Sequence, residues 1–179
     1  MTSVQIIDKT GRIKLKLLEA EVNPFLCDDE VQALNSIEKM QPSVVILNYE
    51  VRKEQTIDYI TLILTASSDS KIVVIADELS EEKILDCLLA GAKGYQSVKQ
   101  LDEHINKLIK VVDAGGAWVT RRMIAKLLNK IREENTASGF KSIENKTIDK
   151  KKSKAARAGS LLKYFMMKTP THYSHKLGE

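Results

Sequence analysis

Two polar side chains close apolar runs at points where a buried strand would leave its sheet: Asp8 ends VQIID (Val4 to Asp8), and Asn48 ends SVVILN (Ser43 to Asn48). Asp8 is a carboxylate able to anchor a loop or a cation, and Lys9 sets an ammonium directly beside it. Asn48 differs in kind. Its amide is no anionic nucleophile and forms no acyl phosphate, although it can cap a strand end by bonding to nearby backbone. In DKTGR, Thr10 and Gly11 offer a hydroxyl and a permissive backbone to a phosphate, but no glycine-rich loop accompanies them. His104, His172 and His175 have no catalytic partner nearby in the sequence. Cys27 and Cys87 match no metal-ligand spacing and read as reduced, buried small hydrophobes. The expectation from these residues is that the chain is not an enzyme.

The elements that position Asp8 and Asn48 follow from periodicity. KIVVIA (Lys71 to Ala76) and the brief GYQSV (Gly94 to Val98) are further strand candidates, with NPFLC (Asn23 to Cys27) a weaker one. Consecutive Val and Ile without polar alternation predict strands covered on both faces, as in a parallel sheet between helix layers. Glu30 to Met40 places Val31, Leu34 and Ile37 on one helical face. Ser80 to Ala90 starts at a capping Ser80, carries Glu81 and Glu82 in its first turn and ends at Gly91. Leu101 to Ala114 repeats the pattern with Ile105, Leu108, Ile109 and Val112, and Gly115 and Gly116 end it. This alternation predicts a doubly wound, five-stranded parallel α/β sheet of flavodoxin-like strand order 2-1-3-4-5, with any site at the carboxyl ends of the strands. Asp8, Asn48 and Ala76 all fall at such ends.

The chain of 179 residues, 43% hydrophobic and 29% charged, suits one well-buried domain with an appendage. No run approaches the roughly 20 apolar residues that span a bilayer, and MTSVQIIDKTGR lacks the basic-then-apolar order of a secretory signal. A cytoplasmic protein without a membrane span is expected. Charge divides the chain unevenly. Thr136 onward holds ten of the 28 Lys and Arg and three of the 24 acids, a net of +7; residues 1–135 hold the other 18 bases and 21 acids, a net of −3.

The stretch LLAGAKGYQSVKQLDEHINKLIKVVDAGGAWVTRRMIAKLL (Leu88 to Leu128) resembles the second half of response-regulator receiver domains of the NarL/FixJ (LuxR-type) group. In that group an aGAkGYlxK strand leads to a helix, a Gly pair and a further helix. By element order and spacing the resemblance covers roughly residues 3 to 116, and it implies a CheY-like receiver fold in two-component signal transduction. In such domains an acidic pair after the first strand binds Mg²⁺ and an aspartate after the third accepts a phosphoryl group. A Ser or Thr ends the fourth strand, and a Lys follows the fifth. On this chain the acidic pair falls on Asp8 and Lys9, the phosphoacceptor position on Asn48, the hydroxyl on Ala76 and the lysine on Val98, with Lys99 one residue on. Tyr95 matches the aromatic position that changes orientation with phosphorylation. Only Asp8 remains of the acidic and phosphoryl-transfer set. The resemblance therefore implies a pseudo-receiver outside the phosphorelay: no phosphoryl acceptance, no cofactor, and Mg²⁺ only if Asp8 alone retains it. Lys9 then either points into solvent or fills the vacated cation position beside Asp8.

Three segments are expected: a receiver-like domain at 1–117, a connecting helix at 118–135, and a basic tail at 136–179 with a short helix at 154–168. Trp118 to Arg132 has Thr120 as an N-cap candidate and Met123, Leu127 and Ile131 at helical spacing. Its Arg121, Arg122, Lys126, Lys130 and Arg132 either touch phosphates or form a solvated face. The resemblance places a helix-turn-helix output domain after this helix. Fewer residues than such a domain needs remain, so a truncated or eroded output domain is expected. The function expected is a protein-interaction or dimerisation module, with a homodimer through residues 80–114. The alternative is a DNA-binding transcriptional regulator with a remnant LuxR-type output region, in which the basic tail contacts nucleic acid.

Overall fold

The structure, a computed structural model, describes residues 2–16 and 22–138. The helix expected at 154–168 lies outside the described residues. β1 (Val4–Ile7), β2 (Phe25–Cys27), β3 (Val44–Asn48), β4 (Lys71–Ala76) and β5 (Gly94–Ser97) form one parallel sheet of order β2-β1-β3-β4-β5. Every residue of β1 and β3 is buried, as is all of β4 except Lys71. Burial on both faces is what consecutive Val and Ile require: leaving either face wet would forfeit about 1.5–3 kcal/mol per large aliphatic side chain.

Among the described residues six α-helices cover the sheet: α1 (Arg12–Lys16), α2 (Glu30–Met40), α3 (Thr56–Ala66), α4 (Glu81–Leu89), α5 (Leu101–Asp113) and α6 (Arg121–Ser138). Side chains alternate across each strand. Val4, Ile6, Val44, Ile46, Val73 and Ile75 therefore share one face, packed against Ile13 of α1 and Leu101, Ile105, Leu108, Ile109 and Val112 of α5. Gln5 has the opposite parity, and its Nε2 donates to the Ala33 carbonyl of α2 at 3.0 Å, so α2 lies on the other face. α3 packs between α2 and α4 there. Its sequence, TIDYITLILTA, carries no clear amphipathic stripe, because apolar Ile57 shares the exposed side with Asp58 and Thr65. Its Thr61 and Thr65 hydroxyls donate back to the Ile57 and Thr61 carbonyls at 3.3 and 2.8 Å, which reconciles them with a helix.

The helix ends follow local chemistry. Ser80 Oγ accepts the Lys83 N–H at 3.4 Å to start α4, and Gly91, with φ of +116°, follows its end. β5 would present an open edge, but the chain closes it. Trp118 N–H donates to the Lys93 carbonyl at 2.9 Å, and Tyr95 N–H donates to the Trp118 carbonyl at 3.2 Å. The approach is close enough that a Cβ on Gly94 would stand 2.5 Å from the Trp118 carbonyl oxygen. Trp118 is thus held at the sheet edge, and α6 begins three residues later, where Thr120 Oγ1 accepts the Met123 N–H at 3.2 Å. α6 then lies along α4. Met123 packs with Ile84 and Leu85, and Leu79, Leu88, Tyr95 and Leu127 surround them.

Cys87 is buried within α4, and burial pushes its thiol up to about 11. Cys27 is a correction to the expectation of two buried thiols: it is only partly covered, because β2 is the short edge strand of the sheet.

Candidate functional site

β1 and β3 are neighbours, yet the chain leaves β1 for α1 on one face and β3 for α3 on the other. A crevice opens where the connections diverge, the usual place for a site in such sheets. Asp8, directly after β1, and Asn48, the last residue of β3, meet in it. Asn48 Nδ2 donates to Asp8 Oδ1 at 2.8 Å in a buried contact. The same oxygen accepts from the Thr10 N–H at 2.8 Å and the Thr10 hydroxyl at 2.7 Å, and Asp8 Oδ2 accepts from the Ile13 N–H at 2.9 Å. Three of these four donors share Oδ1 and one serves Oδ2.

The orientation of the Asn48 amide follows from its neighbours. Its Oδ1 accepts the Glu50 N–H at 3.0 Å. Flipped, the amide would set a carbonyl oxygen against a carboxylate and an NH₂ against an N–H, two repulsive contacts. Asn48 therefore caps the strand end and crosses to Asp8 with the same side chain. Burial of Asp8 raises its pKa, but the bonds from Thr10, Asn48 and Ile13 outweigh that effect and hold the carboxyl below its ordinary 3.8.

These residues do not fit Mg²⁺. Octahedral Mg²⁺ takes anionic and neutral oxygen donors. Here Asp8 Oδ1 already accepts three internal donors, Oδ2 accepts the Ile13 N–H, and the group from β3 that faces them is an NH₂. Among the described residues no cluster of three His, Cys, Asp or Glu side chains is arranged to hold a metal.

Lys9 does not fill a cation position beside Asp8; its side chain is exposed, with the ammonium turned to Glu30. Its Nζ lies 3.5 Å from Glu30 Oε2, while Arg52 Nη1 lies 3.1 Å from Glu30 Oε1. The Glu30 side chain is only 3% exposed, so the two cations flank a buried carboxylate. Tyr59 donates its hydroxyl to the Glu30 carbonyl at 2.7 Å and lies under the Arg52 guanidinium, 5.8 Å from ring centroid to Cζ. In the sequence Glu30 reads only as the start of a helix, and Arg52 carries no signal. Residues so far apart in sequence meet here through sheet order, and no local spacing marks it.

Of the remaining positions, Ala76, Val98 and Lys99 follow along the same carboxyl edge, Ala76 coming directly after Ile75, the register partner of Asn48. Ala76 is buried at the end of β4, in register with Ser97, whose hydroxyl donates to the Asp77 carbonyl at 3.2 Å. Val98 is buried against α5. Lys99 is at the surface, where its Nζ pairs with Glu78 at 2.7 Å. Tyr95 is half-buried among residues of α4 and α6; burial and the charge of Glu78 push its phenol above the ordinary value. Of the α6 cations, Arg122 and Lys126 both pair with Glu81, the former at 2.7 Å, and Lys130 pairs with Asp86 at 2.6 Å. Three of the five basic residues considered for phosphate contact are therefore engaged with α4.

No family model matches the chain. Two curated relatives do: the transcriptional regulatory protein DegU of Brevibacillus brevis, 27% identical over 125 residues (65% of this chain, 52% of DegU), and the DNA-binding transcriptional activator DevR/DosR of Mycobacterium tuberculosis, 26% identical over 103 residues (56% of this chain, 46% of the relative). The chain spans about half the length of each. Among solved structures, the isolated REC domain of RcsB from Salmonella enterica serovar Typhimurium superposes with a TM-score of 0.62 at 18% identity, covering 72% of this chain and 99% of that domain. The fold is that of a response-regulator receiver domain. Within this receiver fold, the last residue of β3 is an amide bonded to the carboxylate that follows β1. No helix among the described residues is long and apolar enough to cross a membrane.

Asn48→Asp would set two carboxylates within 3 Å of each other and remove a buried donor. The variant is expected to lose about 1–3 kcal/mol at pH 7, read by urea denaturation. The deficit shrinks as pH falls, because the coupled pair binds a proton more tightly folded than unfolded. In the wild type the sign is opposite: Asp8 titrates below 3.8 when folded, so its stabilisation is lost as pH drops through that lower range.

Proposed function

We propose that this chain is a two-component-type receiver module that does not take up a phosphoryl group and acts through protein contacts, with residues 80–114 as the contact surface. The observation that carries this reading is the Asn48–Asp8 bond. A neutral amide stands at the acceptor position, and its NH₂ satisfies the carboxylate that a metal would otherwise require. The surroundings agree: Ala76 has no hydroxyl, Val98 lies in the core, and Lys99 is committed to Glu78 at the surface.

Phosphoryl acceptance needs an anionic oxygen in line with the donor and a cation to neutralise charge on the transferring group. Neither is supplied by Asn48 or by Asp8 with its donors in place. Incubation with acetyl phosphate and Mg²⁺, followed by intact-mass measurement under conditions that preserve acyl phosphates, is expected to give unmodified protein and an unchanged oligomeric state. A covalent phosphate mapped near Asn48 or Asp8 would overturn the reading.

A second reading is favoured by the relatives, since DegU is named a transcriptional regulatory protein and DevR/DosR a DNA-binding transcriptional activator. Under it the net +7 of residues 136–179 contacts nucleic acid through phosphates. Binding to duplex DNA that weakens steeply with salt and disappears on deleting residues 136–179 is the expected result. No binding at low salt removes this reading.

A further inference from the structure

Residues of the proposed contact surface are covered in the closed chain. α6 lies over α4 and the flank of β5, with Met123 against Ile84 and Leu85 and with Leu79, Leu88 and Tyr95 at the margin. We infer that the α4–β5 face is the docking surface for the α6 helix of a second copy of this chain, exchanged reciprocally between the two copies. The inference rests on the reading of residues 80–114 as a contact surface, and it names the occupant.

The complementarity is specific and already visible within one chain. α4 presents Glu81 and Asp86; α6 presents Arg122, Lys126 and Lys130 in register with them, and all three form ion pairs. An identical α6 from a second copy meets the same acids with the same cations. Exchange of an identical element is a low-cost route to a dimer, because each interaction opened within one chain is remade across the pair.

The docking is also built to be exchangeable. The ion pairs are at the surface, with 73% of Arg122 and 41% of Lys126 side-chain area exposed, so solvent and salt weaken them. Met123 is the α6 residue that docking buries fully, whereas Ile124, Leu128 and Ile131 stay 41%, 50% and 38% exposed along another face. Apolar surface of α6 thus remains outside the docked face. The attachment point, in contrast, is firm. Trp118 is bonded through its backbone to Lys93 and Tyr95 and through its indole N–H to Gln96 Oε1 at 2.8 Å. Val119, which packs at the margin of the Ile84, Leu85 and Met123 cluster, and Thr120 separate that anchor from the first turn of α6, so a change of backbone angles at these two residues redirects the helix and releases Val119 without disturbing the sheet.

Two charge-reversed chains test this. One carries Lys126→Glu and Lys130→Glu, giving an acidic α6 above an acidic α4; the other carries Glu81→Lys and Asp86→Lys, giving basic helices at both places. Each sets like charges against the docking of its own α6 and against its exchange with an identical copy. Hydrogen exchange in Arg121–Ser138 should be about tenfold faster than wild type in each alone, since an undocked helix of this length is marginal, while β1, β3 and β4 stay protected. Mixed in equal amounts, the two should form a one-to-one heterodimer by light scattering, with α6 exchange returned to the wild-type rate. A mixture that stays monomeric overturns the inference, as does equal self-association of each variant alone. If either double variant loses protection of the sheet, the single reversals Lys130→Asp and Asp86→Lys are mixed instead and read in the same way. The phosphodonor result is independent of these, so loss of phosphoryl chemistry and the identity of the occupant can fail separately.

Discussion

A buried carboxylate must be answered by charge or by hydrogen bonds, and at the mouth of this sheet the answer is hydrogen bonds. Leaving Asp8 unsatisfied would cost several kcal/mol or force it to protonate. The loop after β1 instead folds back so that Thr10 and Ile13 offer their donors, and Asn48 supplies the last from across the sheet. β1 and β3 are thereby joined beyond their backbone ladder, at the point where two carboxylates would need a cation between them. An amide at residue 48 supplies a neutral donor at that point, and the proposal that no phosphoryl group is taken up rests on it.

A second buried acid is handled differently. Glu30 sits at the first turn of α2 and is flanked by Lys9 and Arg52, so an ion network replaces the neutral donors that serve Asp8. Lys9 follows Asp8 directly in the chain, and the split between the two acids explains why it does not act as a surrogate metal: its charge is used at Glu30. At the opposite side of the sheet, the constraint is steric. Gly94 lets Trp118 approach the edge of β5, and that contact sets where α6 begins and which helix it meets.

Much of the fold was legible because the strands are apolar on both faces and the helix starts carry their own chemistry. Consecutive Val and Ile in residues 44–47 and 72–75 permit little besides a covered parallel strand. Ser80 and Thr120 are caps in sequence and caps in the structure. α3 was not legible, since Ile57 stands on its exposed side with Asp58 and Thr65 and blurs the helical period. Nor was the partial exposure of Cys27, which depends on β2 being an edge. At the site, the change of residue type at Asn48 could be read from its place after an apolar run. Its bond to Asp8, the diversion of Lys9 to Glu30 and the pairing of α6 cations with α4 acids are consequences of topology, and one-dimensional spacing carries no trace of them.

Asp8 is satisfied by donors and not by a cation, and on that state the proposed loss of phosphoryl chemistry depends. Carboxyl-carbon NMR of Asp8, titrated with pH in the presence and absence of Mg²⁺, reads it directly. The prediction is a carboxyl that titrates below 3.8 in both series and whose resonance does not move with Mg²⁺. A Mg²⁺-dependent shift of the Asp8 carboxyl at millimolar metal would contradict it.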